Sequence, residues 1–464
     1  MKNSRREFVF SISMLAASSA FPLQAFAFNK AKKLKVALVG TGIRGITFWG
    51  KRLVDEYSEI LEFVGLSDIN PSRLEYGKGY IGANCPTFSS FEEMVSKTKP
   101  DLIIVTTKDS THHEFIIKGL EMGCDVLTEK PLTVDEIKCQ QILDAEKASN
   151  KNLIVGFNYR WSPYATKIKE LILSKTIGDL VSVDFNWYLN TYHGASYFRR
   201  WHGEMESSGS LWVHKATHHF DLLNWWINSE PNEVFAFGDL EFYGKNGPFR
   251  GKNCRTCDHK SECAFYWDIN KDEFSKKLYV DHEHEDGYIR DNCLFREDIN
   301  IYDKMSAQVK YADNTILNYS LTTYSPFEGW RVAFNGTKGR IEASLDIPYY
   351  DKTSMNEAEK HANEMAQKGG EIVSEKPIFV HRLWQDFETV QVDIEESGHG
   401  GGDKRLHDKI FLNPEVADPF GRTAGIRDGA MSILIGIAAR KSIQSGKPIN
   451  ISDLTDLKPQ VLRL

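Results

Sequence analysis

A glycine-rich turn between an apolar strand and a helix constrains the fold of this 464-residue chain more than any other feature. The turn is Gly40-Thr41-Gly42-Ile43-Arg44-Gly45; the apolar run Leu34–Val39 precedes it and a segment that we expect to be helical, Ile46–Ile60, follows. In a Gly-x-Gly-x-x-Gly turn the first glycine makes the tight turn, the second lets the backbone approach a pyrophosphate, and the third packs helix on strand. The helix N-terminus then favours phosphate. The pattern therefore predicts a dinucleotide-binding Rossmann domain.

The residue after the next predicted strand indicates which nicotinamide cofactor the domain prefers. That strand is Glu62–Ser67, and Asp68 follows it. A carboxylate at this position accepts hydrogen bonds from the ribose hydroxyls and repels a 2′-phosphate. We therefore predict NAD rather than NADP.

The composition indicates a globular protein that does not bind nucleic acid. Hydrophobic residues make up 41% of the chain and charged residues 26%, and the length suffices for two or three domains. The formal net charge is −7, and no basic cluster occurs beyond the N-terminus. A nucleic-acid partner would favour a basic surface, so this class of function is excluded.

The first 27 residues have the pattern of an export signal. Ser4-Arg5-Arg6-Glu7-Phe8-Val9 matches the twin-arginine pattern, an apolar region follows, and Ala25-Phe26-Ala27 is a small-x-small cleavage site. We expect cleavage after Ala27 and a periplasmic mature protein. No later apolar run is long enough to cross a bilayer, so we predict no transmembrane segment in the mature chain.

The pattern of predicted strands divides the mature chain into two domains. Short apolar strands alternate with helical segments across residues 34–157, which is typical of a parallel, doubly wound α/β sheet. Across residues 158–464, strands follow one another with few helices between them, which predicts an α+β domain with a large, mostly antiparallel open sheet. Strands that end at Thr107 and before Glu129 place those residues at the cofactor crevice, because ligands of such folds bind at the carboxyl ends of the strands.

These motifs, in this order, resemble the Gfo/Idh/MocA oxidoreductases. The resemblance covers the mature chain from about Leu34 to near the C-terminus, and it rests on the glycine turn, Asp68, Thr107 with His112 and Glu114, Glu129-Lys130-Pro131, Asn158-Tyr159-Arg160-Trp161-Ser162-Pro163, Ile177-Gly178 and Gly336-Thr337-Lys338-Gly339. The resemblance implies sugars, polyols or related cyclic carbinols as substrates, and a second sheet that often mediates dimers or tetramers. Arg73 is a further predicted cofactor-binding residue.

Three residues are the predicted catalytic groups. Lys130 resembles the family's active-site lysine, which stabilises a developing alkoxide or relays its proton. His218 aligns with the family's catalytic histidine, and His214 occupies the position where much of the family has an acidic residue. A neutral second histidine cannot stabilise an imidazolium as a carboxylate does, so we expect His214 to contact a sugar hydroxyl or to relay a proton. The alternative for both histidines is a structural role in the core.

Four further residues are predicted to contact the sugar: Tyr159, Arg160, Tyr192 and His399. Tyr159 and Arg160 follow the last strand of the first domain, which should direct them into the cleft between domains. Tyr192 belongs to an aromatic and basic loop that either stacks on pyranose rings or covers the sheet. His399 lies in the glycine-rich loop Gly398–Asp403, whose alternative is a surface turn.

A cysteine-rich insert, residues 245–296, interrupts the second domain. Four of the seven cysteines fall within it, namely Cys254, Cys257, Cys263 and Cys293. A Cys-x-x-Cys pair and two further thiolates would complete a closed structural zinc site. Disulfides are the rival prediction, because the expected destination is oxidising. An iron–sulfur cluster or free thiols are the remaining alternatives.

Three functions remain open from the sequence. The first is NAD-dependent oxidation of a ring hydroxyl of a sugar or glycoside. The second is a glycosidase that oxidises a ring hydroxyl transiently, eliminates the aglycone, adds water and returns the hydride. The third is a cofactor- or carbohydrate-binding protein without catalysis, against which the presence of both Lys130 and His218 argues. An exported enzyme must carry its cofactor with it, so we expect tightly bound NAD.

Overall fold

The computed structural model describes residues 32–347, 372–395 and 398–463. The predicted signal peptide, residues 1–27, lies outside the described residues. Two sheets organise the described part of the chain, one in each predicted domain. Among the described residues, no helix combines the length and the apolar character that crossing a bilayer requires.

The first sheet has six parallel strands in the order β3-β2-β1-β4-β5-β6. Its strands are β1 Leu34–Val39, β2 Leu61–Ser67, β3 Thr87–Phe88, β4 Leu102–Val105, β5 Asp125–Thr128 and β6 Leu153–Val155. Every residue of β4 is buried, as expected when helices cover both faces of a parallel sheet. The order reverses direction between β1 and β4, which creates the crevice where such folds bind dinucleotides. The predicted Rossmann domain is confirmed.

Three helices of the first domain, α2, α3 and α5, begin at residues whose side chains cap them. A π-helical segment, Gly45–Lys51, leads into α1, and the helices are α1 Arg52–Tyr57, α2 Pro71–Ile81, α3 Phe91–Thr98, α4 His112–Glu121 and α5 Glu136–Ala148. Asn70, Ser90 and Asp135 each accept a hydrogen bond from the backbone N–H three residues later. These caps satisfy donors that the first helical turn leaves unpaired.

The second sheet has nine strands in the order β14-β13-β12-β11-β7-β10-β9-β8-β15. Its strands are β7 Leu180–Asn190, β8 Pro231–Asp239, β9 Lys304–Tyr311, β10 Ile316–Ser325, β11 Glu328–Gly336, β12 Gly339–Ile347, β13 Ile372–Arg382, β14 Glu388–Glu395 and β15 Ile449–Asn450. Only the β7–β10 pair among them is parallel, so the predicted large, mostly antiparallel sheet is confirmed. Strict alternation of exposed and buried residues along β9 indicates that one face covers the core.

Helices cover that buried face and connect it to the first domain. They are α6 Pro163–Leu173, α7 Thr191–Arg199, α8 Met205–Ser208, α9 Leu211–His214, α10 Ala216–Ile227, α11 Glu273–Leu278, α12 Glu283–Asp286, α13 Gly402–His407 and α14 Ile426–Ser445. Every residue of α10 is buried, because the helix packs between α14 and the sheet. Trp226 of α10 lies 6.0 Å from Trp330 of β11, ring centroid to ring centroid. The catalytic histidine predicted on α10 is therefore held by a packed element.

Arg160 is a structural residue at the junction of the two domains, and its predicted role in the cleft is wrong. Its guanidinium is 1% exposed and donates to Asp221 of α10 through Nε at 2.8 Å and through a second nitrogen at 2.5 Å. The same group donates to Asp428 of α14 at 2.8 Å. Arg160 does not line the main cavity. The position of Arg160 next to Tyr159 suggested that it lies in the cleft. Its ion pairs with Asp221 and Asp428 instead hold the side chain in the core.

We expect Arg160→Met to lower the free energy of unfolding by about 3–5 kcal/mol, because it leaves the buried carboxylate of Asp221 without its ion-pair partner. Chemical denaturation of the purified protein measures the change. Arg250→Gln, which breaks the exposed pair with Glu297, is the matched control and should change stability by less than about 1 kcal/mol. Equal effects of the two substitutions would contradict a structural role for Arg160.

Candidate active site

One cavity of about 640 Å³ extends along the carboxyl ends of the first sheet and reaches the second domain. Gly40, Gly42 and Asp68 line one end of it, and Lys130 and His218 line the other. The elongated cavity therefore joins the predicted nucleotide site to the predicted catalytic residues. A dinucleotide has the same division, with its adenosine at one end and its reactive ring at the other.

The glycine turn has the close contacts that the motif requires. Gly40 has a φ of +94°, a conformation that glycine adopts without strain. A Cβ on Gly45 would lie 2.1 Å from the carbonyl oxygen of Gly40, so no larger residue fits there. A Cβ on Gly42 would meet only the Tyr279 hydroxyl, at 3.8 Å, which shows that this glycine faces the cavity. The turn therefore has the open backbone surface that a pyrophosphate needs.

Asp68 lies at the predicted ribose end and holds the glycine turn in place. Its carboxylate accepts hydrogen bonds from Thr41 N at 2.7 Å and from Asn70 N at 2.9 Å. Arg73 of α2 donates to the same carboxylate at 3.1 Å and to Asp286 at 2.5 Å. The two carboxylates compensate the guanidinium charge, so Arg73 is not free to attract a 2′-phosphate. This arrangement fits NAD.

The remaining predicted cofactor residues surround the middle of the cavity. Glu129 accepts hydrogen bonds from Arg44 Nε at 2.6 Å and from Trp49 Nε1 at 2.8 Å, and these partners hold the pKa of its carboxyl below the usual value despite burial. His112 bridges two strand ends, with Nδ1 2.8 Å from Pro131 O and Nε2 3.2 Å from Thr107 O. Glu129 and His112 therefore position the cofactor-facing loops.

Lys130 lies at the catalytic end, directly after β5. Its Nζ is 3.5 Å from His214 Nε2 and donates to His214 O at 3.3 Å. Burial lowers the pKa of Lys130 to about 8, although the nearby carboxylates Asp109 and Glu129 oppose this shift. A lysine with such a pKa exists in both protonation states near neutral pH, as a general acid–base group requires.

His214 has a carboxylate partner that the sequence did not reveal. Its Nδ1 is 2.5 Å from Asp109 Oδ2, and Asp109 belongs to the short helix Asp109–Thr111 after β4. Burial, together with the charge of Lys130, holds the pKa of His214 well below the usual range. The neutral ring donates from Nδ1 to Asp109 and directs the lone pair of Nε2 towards Lys130. Asp109, His214 and Lys130 thus form a continuous chain of proton-transferring groups, which we call the relay.

The only sequence signal for Asp109 was its place just beyond a strand end in the crevice, next to Thr107. The carboxylate that much of the family places on the second domain is here supplied by the first domain. Thr107 itself lines the cavity and accepts a hydrogen bond from Thr111 Oγ1 at 2.9 Å. The departure at His214 therefore does not remove the carboxylate from the site.

His218, Tyr159 and His399 line the same end of the cavity and form the wall that is predicted to face a sugar, which we call the sugar wall. The ring of Tyr159 stacks on His218 with centroids 4.4 Å apart and lies 5.3 Å from His399. His399 Nδ1 lies 2.9 Å from Asp403 Oδ1, so its ring is held by a buried carboxylate. His218 Nδ1 has no hydrogen-bond partner among the described residues although it is buried. His218 also lines the cavity, so its ring is within reach of a ligand there.

Tyr192 lies at the start of α7 and is not among the residues that line this cavity. Arg199 and Arg200 bear on its hydroxyl electrostatically, and burial raises the pKa of the phenol. The predicted substrate contact of Tyr192 therefore finds no support in the geometry. Five other residues of the same loop do line the cavity, namely His193, Tyr197, Arg200, Trp201 and His202.

Part of the insert covers the nucleotide end of the cavity. Residues 272–288, which we call the strap, include α11 and α12. The Tyr279 hydroxyl accepts a hydrogen bond from Ile43 N of the glycine turn at 3.0 Å. The carbonyl oxygen of His282 accepts one from Asn70 Nδ2 at 2.9 Å. Sequence reasoning missed the strap, because no local motif marks it.

Acidic residues at the end of the strap tie it to α2. Glu285 accepts a hydrogen bond from Ser72 N at 3.1 Å, and Asp286 forms the ion pair with Arg73. A strap residue therefore contacts the same guanidinium as Asp68, the predicted ribose-binding carboxylate. Arg73 thus connects the strap to the predicted ribose end of the cavity.

The predicted zinc site is not supported. The four cysteines of the insert line one small cavity of about 20 Å³ and all are free thiols, so the rival disulfides do not form here either. Within the described ranges, no group of three or more histidine, cysteine or acidic residues is arranged to hold a metal ion. Arg199 donates to Cys254 Sγ at 2.9 Å, and its positive charge disfavours a second cation at that sulfur. Apolar packing around Phe249 and Phe295 accompanies the thiols instead.

A Rossmann sheet with an open glycine turn, a carboxylate at the predicted ribose end and a partly buried lysine at the strand ends is typical of a nicotinamide-dependent oxidoreductase. Comparison with known proteins gives the family. Residues 34–157 match the model of the oxidoreductase family's NAD-binding Rossmann fold, and residues 169–451 match that of its C-terminal alpha/beta domain. The chain belongs to the Gfo/Idh/MocA oxidoreductase family.

Individual relatives agree with this assignment. Over 443 residues the chain is 37% identical to "Putative oxidoreductase YteT" of Bacillus subtilis (strain 168), with 91% of this chain and 99% of that protein covered. It is 24% identical over 209 residues to inositol 2-dehydrogenase/D-chiro-inositol 3-dehydrogenase of Lactiplantibacillus plantarum, with 45% of this chain and 56% of that protein covered. A levoglucosan dehydrogenase in complex with NADH and levoglucosan has the same fold, with a TM-score of 0.62 at 15% identity over 90% of this chain and all of that one (100%).

We expect Lys130 to titrate with a pKa of about 8 and Asp109→Asn to lower that value further, because the substitution removes the carboxylate that most favours the ammonium form. Competitive acetylation across a pH series, read by mass spectrometry of the digest, measures the pKa. The exposed Lys97 in the same digest is the internal control and should not respond to Asp109→Asn. A rise in the pKa of Lys130 on this substitution would contradict the relay.

Proposed function

We propose that this protein oxidises a ring hydroxyl of a sugar or glycoside with a tightly retained NAD. The observation that carries the proposal is the relay, which places Lys130 Nζ within 3.5 Å of a neutral histidine at the carboxyl ends of the cofactor-binding sheet. A group that accepts a hydroxyl proton must lie beside the cofactor, and Lys130 follows the strand that ends there. Sugar and inositol dehydrogenases among the relatives support the substrate class.

Bound NAD would supply the acceptor for the hydride that leaves the carbinol carbon. The chain's own residues handle the proton. Neutral Lys130 accepts the proton of the hydroxyl group and passes a proton to His214 Nε2, while His214 Nδ1–H moves its proton to Asp109. Burial raises the pKa of the Asp109 carboxyl well above its usual value, so Asp109 is suited to receive a proton. The wall of Tyr159, His218 and His399 orients the sugar ring.

The strap supports retention of the nucleotide. Its contacts to Ile43, Asn70, Ser72 and Arg73 close the adenosine end from outside, and they include one buried ion pair. Dissociation of a nucleotide would require these contacts to break first, which slows release. A resident cofactor must be restored within each catalytic cycle.

Retention favours a second candidate function, the redox-neutral glycosidase. In that cycle the ring hydroxyl is oxidised to a ketone, the adjacent C–H bond loses its proton, and the aglycone leaves by elimination. Water then adds, and the hydride returns to the ketone, so NAD is unchanged at the end of each turnover. His218 lies on the sugar side of Lys130 and is available as the second acid–base group.

The export route and the oligomeric state are further proposals, and the purified protein can test both. We propose a periplasmic protein, exported by the twin-arginine route with cleavage after Ala27, that forms a homodimer or homotetramer through the second sheet. Trp384 and Phe387, between β13 and β14, are 98% and 64% exposed, and such apolar exposure is typical of a surface that another subunit covers.

Native mass spectrometry of the purified protein is expected to report bound NAD(H), an N-terminus at Phe28 and more than one subunit. A paired substitution in the strap, Glu285→Ala with Asp286→Ala, should raise the dissociation constant for NAD about tenfold or more, because it removes a buried charge partner. Glu273→Ala, which breaks only an exposed pair with Lys277 on the same segment, is the control. Unchanged nucleotide content in the paired variant would remove the strap from the explanation of retention.

Catalysis is tested by incubation with free sugars and with aryl glycosides. A keto-sugar that forms only with an added electron acceptor identifies the oxidoreductase, whereas aglycone release without net nicotinamide reduction identifies the glycosidase. We expect Lys130→Met to lower kcat about 100-fold or more in either case. The wild-type rate should rise with pH and level off above about 8, because the neutral form of Lys130 is the base. Full activity of Lys130→Met, or no reaction of the wild type with any sugar, would overturn the proposal.

A further inference from the structure

The catalytic end of the cavity contains more buried positive charge than the described residues compensate. Arg200 and Lys215 both line it, and neither has a carboxylate in hydrogen-bond contact within the described part of the chain. Buried cations without a partner are costly, and proteins keep them where a ligand supplies the missing charge.

Arg200 is half-buried and held by groups that leave its charge unpaired. Its Nε donates to the backbone oxygen of Ser196 at 2.9 Å, and its guanidinium carbon lies 5.2 Å from the ring centroid of Tyr197. Burial, and then the neighbouring charge of Arg290, lowers the pKa of Arg200. A second arginine beside it makes an anion more favourable at this position. The preceding residue, Arg199, points to Cys254 instead, so the two arginines have different roles.

Lys215 follows α9 and is 4% exposed. Its Nζ donates to the Tyr159 hydroxyl at 3.2 Å and lies 4.9 Å from the ring centroid of Trp187. Glu328 and Lys215 interact electrostatically, but the hydrogen-bond contacts of the Glu328 carboxylate are with Asn190 N at 2.8 Å and His193 Nδ1 at 2.9 Å. The ammonium therefore faces the sugar wall with two hydrogens available.

The excess charge lies between the strap and the relay, because Arg200 bears electrostatically on Tyr288 and Tyr279 of the strap as well as on the catalytic end. At the nucleotide end, each lining arginine has a carboxylate partner, namely Glu129 for Arg44, and Asp68 with Asp286 for Arg73. Arg200 instead bears electrostatically on His202 and on the relay residues Asp109 and His214. The glycine turn is the predicted binding site of the cofactor's phosphates. The anion that we expect at Arg200 and Lys215 is therefore a different group.

We propose that the substrate is a sugar acid, a uronate or a glycoside of one, whose carboxylate is bound by Arg200 and Lys215, which both bear electrostatically on Tyr197. The inference rests on the proposed function and names its substrate class. A guanidinium matches a carboxylate in bidentate geometry, and a buried ammonium adds a second charge-assisted hydrogen bond. The carboxylate would compensate the charge while the ring lies against Tyr159 and His218, beside the relay.

The test compares three matched compounds in each of the gluco and galacto series: the methyl glycoside of the uronic acid, the methyl ester of that acid, and the methyl glycoside of the neutral sugar. Single-turnover reduction of the resident nicotinamide, followed by fluorescence, gives kcat/KM, and mass spectrometry identifies the keto product. In at least one series we expect the uronate to exceed its ester and the neutral sugar by about 30-fold or more, the loss typical of an unpaired buried charge. Equal or better reaction of the neutral sugars in both series would overturn the proposal.

Two substitutions assign the carboxylate site. Arg200→Gln and Lys215→Met should each raise KM for the uronate and reduce its advantage over the ester, with bound NAD unchanged. Lys97→Met, which removes one exposed charge far from the cavity, should leave the uronate preference intact. A variant that loses its nucleotide while the uronate preference persists would show that the side chain serves the cofactor, and would overturn the assignment. If no compound in either series reduces the nicotinamide, the proposed function fails, which is a different result from loss of preference.

Discussion

The hydrogen bond between Asp109 and His214 joins the two domains at the point where chemistry would occur. Asp109 comes from the strand ends of the Rossmann sheet and His214 from α9 of the second domain, so the catalytic end exists only when both domains are packed together. Arg160 supports the same junction from behind, because it pairs with α10 and α14. The position of Lys130 Nζ relative to the sugar wall therefore depends on a buried polar interface. Loss of any hydrogen bond in such an interface is costly, so its geometry is fixed.

Local motifs predicted one half of the site and could not predict the other. The glycine turn, Asp68 and Lys130 were identified because each stands at the end of a recognisable strand, where α/β folds place their ligands. The partners of these residues lie far along the chain: Asp109 and His214 are 105 residues apart, and Ile43 and Tyr279 are 236 apart. No spacing rule connects such positions. The prediction for Arg160 was wrong for the same reason: its partner Asp221 lies 61 residues away, and no local pattern marks the pair.

The carboxylate beside His214 comes from the first domain and not from the second. At His214 the second domain lacks the carboxylate that the family resemblance led us to expect, and the first domain supplies one to the same imidazole. The relay is longer by one group than a direct carboxylate–lysine contact. Both its ends have pKa values that burial moves towards neutrality, Lys130 downwards and Asp109 upwards. A proton can thus pass between them with a smaller free-energy difference than between an exposed lysine and an exposed aspartate.

The insert explains how one segment serves both ends of the cavity. Its cysteine-lined part contacts Arg199, the next residue, Arg200, lines the cavity, and its strap contacts the glycine turn. A nucleotide that stabilises the closed strap would also stabilise the insert and, through Arg199, the backbone that carries Arg200. Linkage requires the reverse as well: a carboxylate that fixes Arg200 would favour the closed strap and so hold the nucleotide more tightly. Retention of the cofactor and recognition of an acidic sugar would then be two consequences of the same folded segment.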